Sequence, residues 1–129
     1  MKIAVSVHGD PEKTASPATA LAFTRAALTA GHQVPRVFFY HDGVRTGCDL
    51  DGHPTARTTL LQGWVDLKRS FGTDLLICIA AAEARGLYNI EQARTAGKTA
   101  NLHPAFQVVG LGQFTEMIMT ADRALTFDG

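Results

Sequence analysis

Short apolar runs alternate along this chain with longer stretches of helical periodicity, and this alternation is what most constrains the fold. The apolar runs have the length of buried strands, and they span residues 2–7, 34–40, 74–80, 106–109 and 123–127. Strands separated by helices pair in parallel through right-handed crossovers. The sequence therefore predicts an α/β fold, a single three-layer α/β/α sandwich with a mainly parallel sheet of about five strands, flavodoxin-like in general appearance.

Helix signals fill the gaps between these runs. Ser16 predicts the N-cap of the first helix, and Gly31 predicts its end. A second helix is predicted over residues 58–70, followed by one that is short or broken at Gly86. The last helix is predicted over residues 111–121.

Composition fits one globular domain over residues 1–129, because 46% of the residues are hydrophobic and only 19% are charged. The 12 basic and 12 acidic residues balance without a basic run, so no direct nucleic-acid binding is expected. The first apolar stretch is too short for a signal peptide or a membrane span. We therefore expect a cytoplasmic protein whose cysteines, Cys48 and Cys78, are free thiols.

Cys78 lies in the strongly apolar run LLICIA, at the predicted change from strand to helix. In open α/β sheets sites lie beyond the carboxyl ends of the strands, and a helix start with a nearby arginine favours a thiolate over a thiol. Cys78 is therefore a candidate for a reactive thiol at an open strand edge. The residues alone leave an alternative, because free cysteine more often serves as a small apolar core residue.

Four further side chains are candidates near this thiol. His8 and His41 follow the first two predicted strands, so either is a candidate base for a Cys–His pair. Arg85 is a candidate stabiliser of a thiolate or persulfide anion, and Glu83 a candidate for orienting a partner or moving a proton. Each also has a plainer interpretation as a loop or helix residue satisfied by solvent or backbone.

Other motifs in the chain are incomplete. The two cysteines do not form a C-x-x-C pair, and His53 and His103 lack a matching ligand spacing, so no metal is expected. Residues 9–14 lack the second glycine of a phosphate loop, and residues 110–112 lack the third glycine of a dinucleotide fingerprint.

The segment after the second strand is predicted to be a tight turn at Asp42 and Gly43. The loop that follows, residues 45–54, is predicted as a surface element that is mobile or used in contacts. Cys48 lies in this loop and is given at most a secondary thiol role.

Several segments, taken together in order and spacing, resemble one family over nearly the whole chain. They are KIAV at 2–5, VFFYHDGV at 37–44, ICIAAA at 77–82, RG at 85–86, GLGQ at 110–113 and ADR at 121–123. With these segments the sequence resembles the DsrE/TusD subunits of the DsrEFH and TusBCD sulfur-transfer complexes.

The resemblance implies that Cys78 accepts a persulfide sulfur and passes it to a downstream DsrC/TusE-like carrier. It also implies an upstream donor of TusA type and a heterohexamer with two smaller related subunits, of DsrF/DsrH or TusC/TusB type. Thiolate attack on sulfane sulfur resembles thiol–disulfide exchange, so no cofactor is expected.

Two alternatives stay open beside this sulfurtransferase. One is a non-catalytic scaffold subunit of the same kind of complex, and the other is a flavodoxin-like nucleotide-binding module. The pathway is open too, because the DsrE branch serves cytoplasmic sulfur oxidation and the TusD branch serves tRNA 2-thiouridine synthesis.

Overall fold

A five-stranded, all-parallel sheet forms the centre of the computed structural model, which describes residues 1–49 and 55–129. In chain order its elements are β1 (Ile3–Val7), α1 (Ser16–Thr29), β2 (Arg36–Phe39), a 3₁₀ helix (His41–Gly47), α2 (Ala56–Phe71), β3 (Asp74–Cys78), α3 (Ile79–Ala84), α4 (Ile90–Ala96), β4 (Phe106–Val109), α5 (Leu111–Met119) and β5 (Arg123–Phe127). The strand order is β4-β3-β2-β1-β5, with every neighbouring pair parallel. The predicted α/β fold is confirmed.

Different helices cover the two faces of the sheet. The chain moves from β1 to β4 in one direction and returns to β5, so right-handed crossovers place α5 opposite α1 and α2. Phe39 packs edge-on against Trp64 of α2, with ring centroids 5.3 Å apart, whereas Phe38 packs against Phe114 of α5 at 4.7 Å. We call the second surface the α5 face; its central strand residues, which share one level, are Ser6, Phe38 and Leu76.

The central strands are shorter than the apolar runs that predicted them. β2 covers residues 36–39 of the predicted 34–40, and β3 covers residues 74–78 of the predicted 74–80. β3 ends early because Cys78 is the N-cap of α3, so that the apolar Ile79 belongs to a helix. The break after α3 is confirmed at Gly86, whose φ of +71° is left-handed.

Helix ends follow the sequence signals, with one correction. The Thr55 hydroxyl caps α2 by accepting a backbone N–H, and α2 ends at Gly72, whose φ is +74°. The predicted Ser16 cap is wrong, because Ser16 is the first residue of α1 and the N-cap is Ala15, without a side-chain bond. The Ser16 hydroxyl instead lies 3.4 Å from that of Thr14.

The segment after β2 is a 3₁₀ helix rather than the predicted tight turn at Asp42 and Gly43. The left-handed residue is His41, with a φ of +48°. Gly43 is needed for close approach, because a methyl group at its Cα would lie 2.1 Å from the carbonyl oxygen of Val7. Its own N–H donates to the carbonyl of His8 at 3.1 Å. Glycine therefore lets the 3₁₀ helix contact the carboxyl end of β1 directly.

Residues 50–54, which include His53 and form the second half of the predicted loop 45–54, lie outside the described residues. Within residues 1–49 and 55–129, no helix is both long enough and apolar enough to cross a membrane. The same part of the chain holds no group of three His, Cys, Asp or Glu side chains arranged to bind a metal ion.

The contact between Gly43 and β1 generates a prediction about stability. Gly43→Ala places a methyl group against the backbone of Val7, so the free energy of unfolding should fall by about 3 kcal/mol. The matched control is Gly112→Ala, because Gly112 lies in α5 with no atom within 4 Å of an added methyl group. That variant should gain up to about 1 kcal/mol. Urea denaturation of the two variants checks both values, and equal effects would contradict the close approach.

Candidate functional site

Three of the predicted site residues lie at the carboxyl edge of the sheet. Cys78 is the last residue of β3, His8 follows β1 directly, and His41 begins the 3₁₀ helix after β2. Since β1, β2 and β3 are neighbours in a parallel sheet, their carboxyl ends meet at one edge, where open α/β sheets bind their ligands.

Tyr40 stands between Cys78 and His8 at this edge. The last residues paired between β1 and β2 and between β2 and β3 share one level, and the residues that follow them form the next row, His8, Tyr40 and Cys78. We call these three residues the Cys78 row. Tyr40 and Cys78 both keep extended backbone, so alternation along the strands puts their side chains on the α5 face.

Within this row Tyr40 separates Cys78 from His8, one of the two histidines predicted as candidate bases. Neighbouring strands lie about 4.8 Å apart, so the backbones of Cys78 and His8 are about 10 Å apart with Tyr40 between them. The Nε2 atom of His8 is 2.6 Å from the hydroxyl of Ser6, which lies in β1. The structure therefore brings Tyr40, and not His8, beside the thiol.

The thiol of Cys78 is covered in the folded chain. Cys78 is 2% exposed, and it packs with the hydrophobic core while capping α3. The expectation of a thiol at an open strand edge is therefore wrong as to exposure, although its position at the strand end is confirmed. Along the sheet, Cys78 lies between Tyr40 on the β2 side and Val109, its partner on β4.

His8 and His41 form an aromatic cluster with Tyr40. The ring of His41 is 4.1 Å from that of Tyr40 and 5.2 Å from that of His8, measured between centroids. Burial lowers the pKa of His8, and the nearby charge of His41 lowers it further, while Asp128 acts in the opposite direction. His8 therefore favours the neutral imidazole.

Arg85 is bonded to other groups than the thiol. Its Nε donates to Asp42 Oδ1 at 2.9 Å, and its Nη1 donates to the carbonyl of Ala81 at 3.1 Å. The bond to Asp42 joins the end of α3 to the 3₁₀ helix, and this bond is the main cause that lowers the pKa of the Asp42 carboxyl. Glu83 is exposed on α3, where it accepts a hydrogen bond from Gln92 at 3.3 Å.

The second thiol, that of Cys48, borders a polar cavity of about 390 Å³. Its lining is largely charged and consists of Asp10, Glu12, Lys13, Arg45, Cys48, Arg57 and Leu87. Burial raises the pKa of the Cys48 thiol, and Arg57 only partly offsets this effect. Because the thiolate is the nucleophilic form, this environment disfavours reaction at Cys48.

Tyr40 lies at this edge, although the sequence pattern does not predict it as a site residue. It was predicted only as part of a buried strand, because the tyrosine sits in the apolar run VFFY. The sequence signal for Tyr40 is its position relative to the end of β2. Phe39 and Ile77 are the last residues paired between β2 and β3, and Tyr40 and Cys78 each come one residue later. Using that signal requires knowing that β2 and β3 are neighbours, which the sequence does not state.

Comparison with known proteins gives consistent matches over nearly the whole chain. The model of the DsrE/DsrF-like family matches residues 1–127. DsrE of Allochromatium vinosum is 38% identical over 98% of this chain and 98% of its own length. A protein named sulfurtransferase TusD homolog, from Pseudomonas aeruginosa, is 38% identical over 100% of this chain and 98% of its own.

Two further similarities agree with these. Sulfurtransferase TusD of Salmonella paratyphi B is 37% identical over 98% of this chain and its own full length. The crystal structure of the ychN protein from E. coli has the same fold, with a TM-score of 0.73 over 98% of this chain and 99% of that one. Its sequence identity is 19%, so this likeness concerns the fold.

The histidine pair generates a prediction about titration. In the folded chain the pKa of His8 should lie below its ordinary value, His41→Asn should raise it, and Asp128→Asn should lower it further. Asparagine suits position 41 because it tolerates the left-handed backbone there. Histidine NMR titrations, assigned with a His8→Gln variant, measure all three values.

The lowered pKa of His8 also makes the stability of the folded chain depend on pH. A folded state that resists protonation of His8 loses stability as the pH falls from about 6.5 towards the lowered pKa, because the unfolded chain binds the proton more tightly. An unshifted His8, or equal values in the His41→Asn and Asp128→Asn variants, would contradict the cluster.

Proposed function

This chain belongs to the DsrE/DsrF-like family, and we propose that it is a sulfurtransferase that carries sulfane sulfur as a persulfide on Cys78. Relatives that carry the name sulfurtransferase TusD match it at 36–37% identity over nearly their whole length. The observation that carries the assignment to Cys78 is its place at the carboxyl end of a central strand, as the N-cap of α3. Cys48, the other thiol, lies where burial raises its pKa.

The proposed chemistry is two successive displacements at sulfur. In loading, the Cys78 thiolate attacks the outer sulfur of a donor persulfide, the new S–S bond forms, and the donor cysteine leaves as a thiolate. In unloading, an acceptor thiolate attacks the outer sulfur on Cys78, and Cys78 leaves as a thiolate. Each step follows the rules of thiol–disulfide exchange and needs no added oxidant, reductant or cofactor.

Burial of Cys78 bears directly on this cycle. At 2% exposure the thiol must be uncovered for each transfer, and between transfers its persulfide is shielded from reductants. The connection from β4 to α5 lies beside the thiol, because Val109 pairs with Cys78 and α5 begins at Leu111. Movement of this connection is the simplest way to uncover the sulfur.

The other candidate residues have supporting roles in this proposal. Arg85 fixes the end of α3 to Asp42 and thereby positions the helix that Cys78 caps. Glu83 and His41 are exposed, so they are available to contact an incoming carrier protein. His8, neutral and bonded to Ser6, holds the Tyr40 and His41 rings in place.

Partners follow from the family in the same proposal. The chain joins two smaller related subunits, of DsrF/DsrH or TusC/TusB type, in a cytoplasmic heterohexamer, receives sulfur from a TusA-type donor and delivers it to a DsrC/TusE-like carrier. Support for an assembly comes from exposed apolar side chains on α5, which are Leu111, Ile118 and Met119. The pathway is sulfur oxidation or tRNA 2-thiouridine synthesis, depending on that carrier.

A non-catalytic scaffold is the second candidate, because a cysteine that is 2% exposed also fits a core residue. In that case Cys78 contributes packing alone, and the sulfur passes through another subunit of the complex.

Sulfur loading tests the leading proposal. After incubation with a persulfidated donor protein, the chain should gain the mass of one sulfur atom, and Cys78→Ser should gain none, because the acceptor thiolate is gone. The matched control is Cys48→Ser, which removes the other buried thiol and should load like the parent. Intact-mass spectrometry gives the answer, and equal loading of Cys78→Ser would transfer the role to Cys48.

Native alkylation separates the sulfurtransferase from the scaffold. In single-thiol chains, Cys78 in the Cys48→Ser variant should react with iodoacetamide faster than Cys48 in the Cys78→Ser variant. The reason is that Cys48 has a raised pKa, whereas a relay thiol must be uncovered repeatedly. Mass spectrometry of timed samples measures both rates. The scaffold predicts that Cys78 reacts no faster than Cys48.

A further inference from the structure

We propose that Tyr40 is a further catalytic residue, whose hydroxyl donates a hydrogen bond to the outer sulfur of the Cys78 persulfide. This inference rests on the proposed function, because it concerns the persulfide that the function requires. It starts from the Cys78 row, in which Tyr40 is the lateral neighbour of Cys78 on the α5 face.

The length of the tyrosine side chain favours a hydrogen bond to the outer sulfur over one to the Sγ atom of Cys78. The two backbones are about 4.8 Å apart, and both side chains rise from the same face of the sheet. A tyrosine side chain is longer than a cysteine side chain, so the hydroxyl lies beyond the Sγ atom. A persulfide extends the cysteine by one S–S bond, about 2 Å, and this brings its outer sulfur towards the level of the hydroxyl.

The Tyr40 ring is held on several sides. Its centroid lies 4.1 Å from that of His41, 5.6 Å from that of His8, 6.1 Å from that of Phe38 and 6.5 Å from that of Phe114. These contacts come from β2, α5, the 3₁₀ helix and the residue that follows β1, so they restrict rotation of the ring.

The Tyr40 hydroxyl is available as a donor. Tyr40 is half-buried, and no other residue in the described part of the chain forms a hydrogen bond with its hydroxyl. A persulfide ionises more readily than a thiol, and its anion needs a donor when it is held away from water. Neither His8, bonded to Ser6, nor Arg85, bonded to Asp42, lies in that place.

The hydrogen bond acts on the loaded state of the cycle. After loading, the outer sulfur loses its proton to solvent, and Tyr40 stabilises the resulting anion. Before unloading, the outer sulfur regains a proton and becomes electrophilic. The acceptor thiolate then attacks it, the Sγ–S bond breaks, and its electron pair leaves with Cys78. Tyr40 thereby keeps the stored sulfur ionised until an acceptor is in place. The ionised sulfur is a poor electrophile, so other thiolates do not attack it.

Tyr40→Phe tests this role, because it keeps the ring and removes only the hydroxyl. The matched control is Tyr88→Phe, which removes the hydroxyl of the other tyrosine, in the connection between α3 and α4. All chains carry Cys48→Ser and are loaded with glutathione persulfide. The ultraviolet absorbance of the persulfide anion, followed against pH, gives the persulfide pKa, and intact mass confirms the loading.

We expect Tyr40→Phe to raise the persulfide pKa by about one unit, a tenfold weaker preference for the anion, and Tyr88→Phe to leave it unchanged. A second substitution should shift the persulfide pKa in the opposite direction. In the Tyr88→Phe chain, 3-fluorotyrosine at position 40 is a stronger donor and should lower the persulfide pKa.

The outcomes separate this inference from the function beneath it. A loaded parent whose persulfide pKa is the same in Tyr40→Phe overturns the role of Tyr40 and leaves the sulfurtransferase standing. A parent that takes no sulfur on Cys78 overturns both. A pKa rise in Tyr88→Phe equal to that in Tyr40→Phe also overturns the role, because the effect would then be independent of position.

Discussion

The register among β1, β2 and β3 is the constraint on which the site depends. Val7, Phe39 and Ile77 lie at one level across the three strands, and each is fully buried. A slip of one residue would turn every side chain of a strand to the other face, so the buried cores on both faces hold the register strongly. With the register fixed, Cys78 and Tyr40 must be neighbours on one face. The close contact of Gly43 with β1 then holds the 3₁₀ helix beside them.

Much of the fold was predictable because its three central strands, β1, β2 and β3, are buried on both faces and form continuous apolar runs. β4 and β5 have their predicted bounds, and β2 and β3 differ only at their ends. The predicted end of β3 was wrong because the apolar Ile79 belongs to α3, and an apolar residue by itself does not distinguish a helix from a strand. The Ser16 cap failed because a hydroxyl near a helix start can bond another hydroxyl, here that of Thr14.

The site was predictable in part. The sequence predicts Cys78 at the change from a strand to a helix, which is the carboxyl edge of a parallel sheet. The structure places Cys78 there, at the end of β3 and the start of α3. Its neighbours depend on strand order and face, which come from long-range pairing that no local pattern encodes. For this reason His8 was a reasonable partner in the sequence, although β2 and Tyr40 lie between it and the thiol. Burial of the thiol and the bond from Arg85 to Asp42 likewise arise only after the elements pack.

A single-turnover chase shows whether sulfur passes through Cys78. The Cys48→Ser chain, loaded on Cys78 with isotopically heavy sulfur and freed of donor, is mixed with a DsrC/TusE-like carrier and sampled by mass spectrometry. A sulfur relay through Cys78 requires that heavy sulfur leaves Cys78 and appears in equal amount on a cysteine of the carrier. Heavy sulfur that stays on Cys78, while the carrier acquires none, would contradict it.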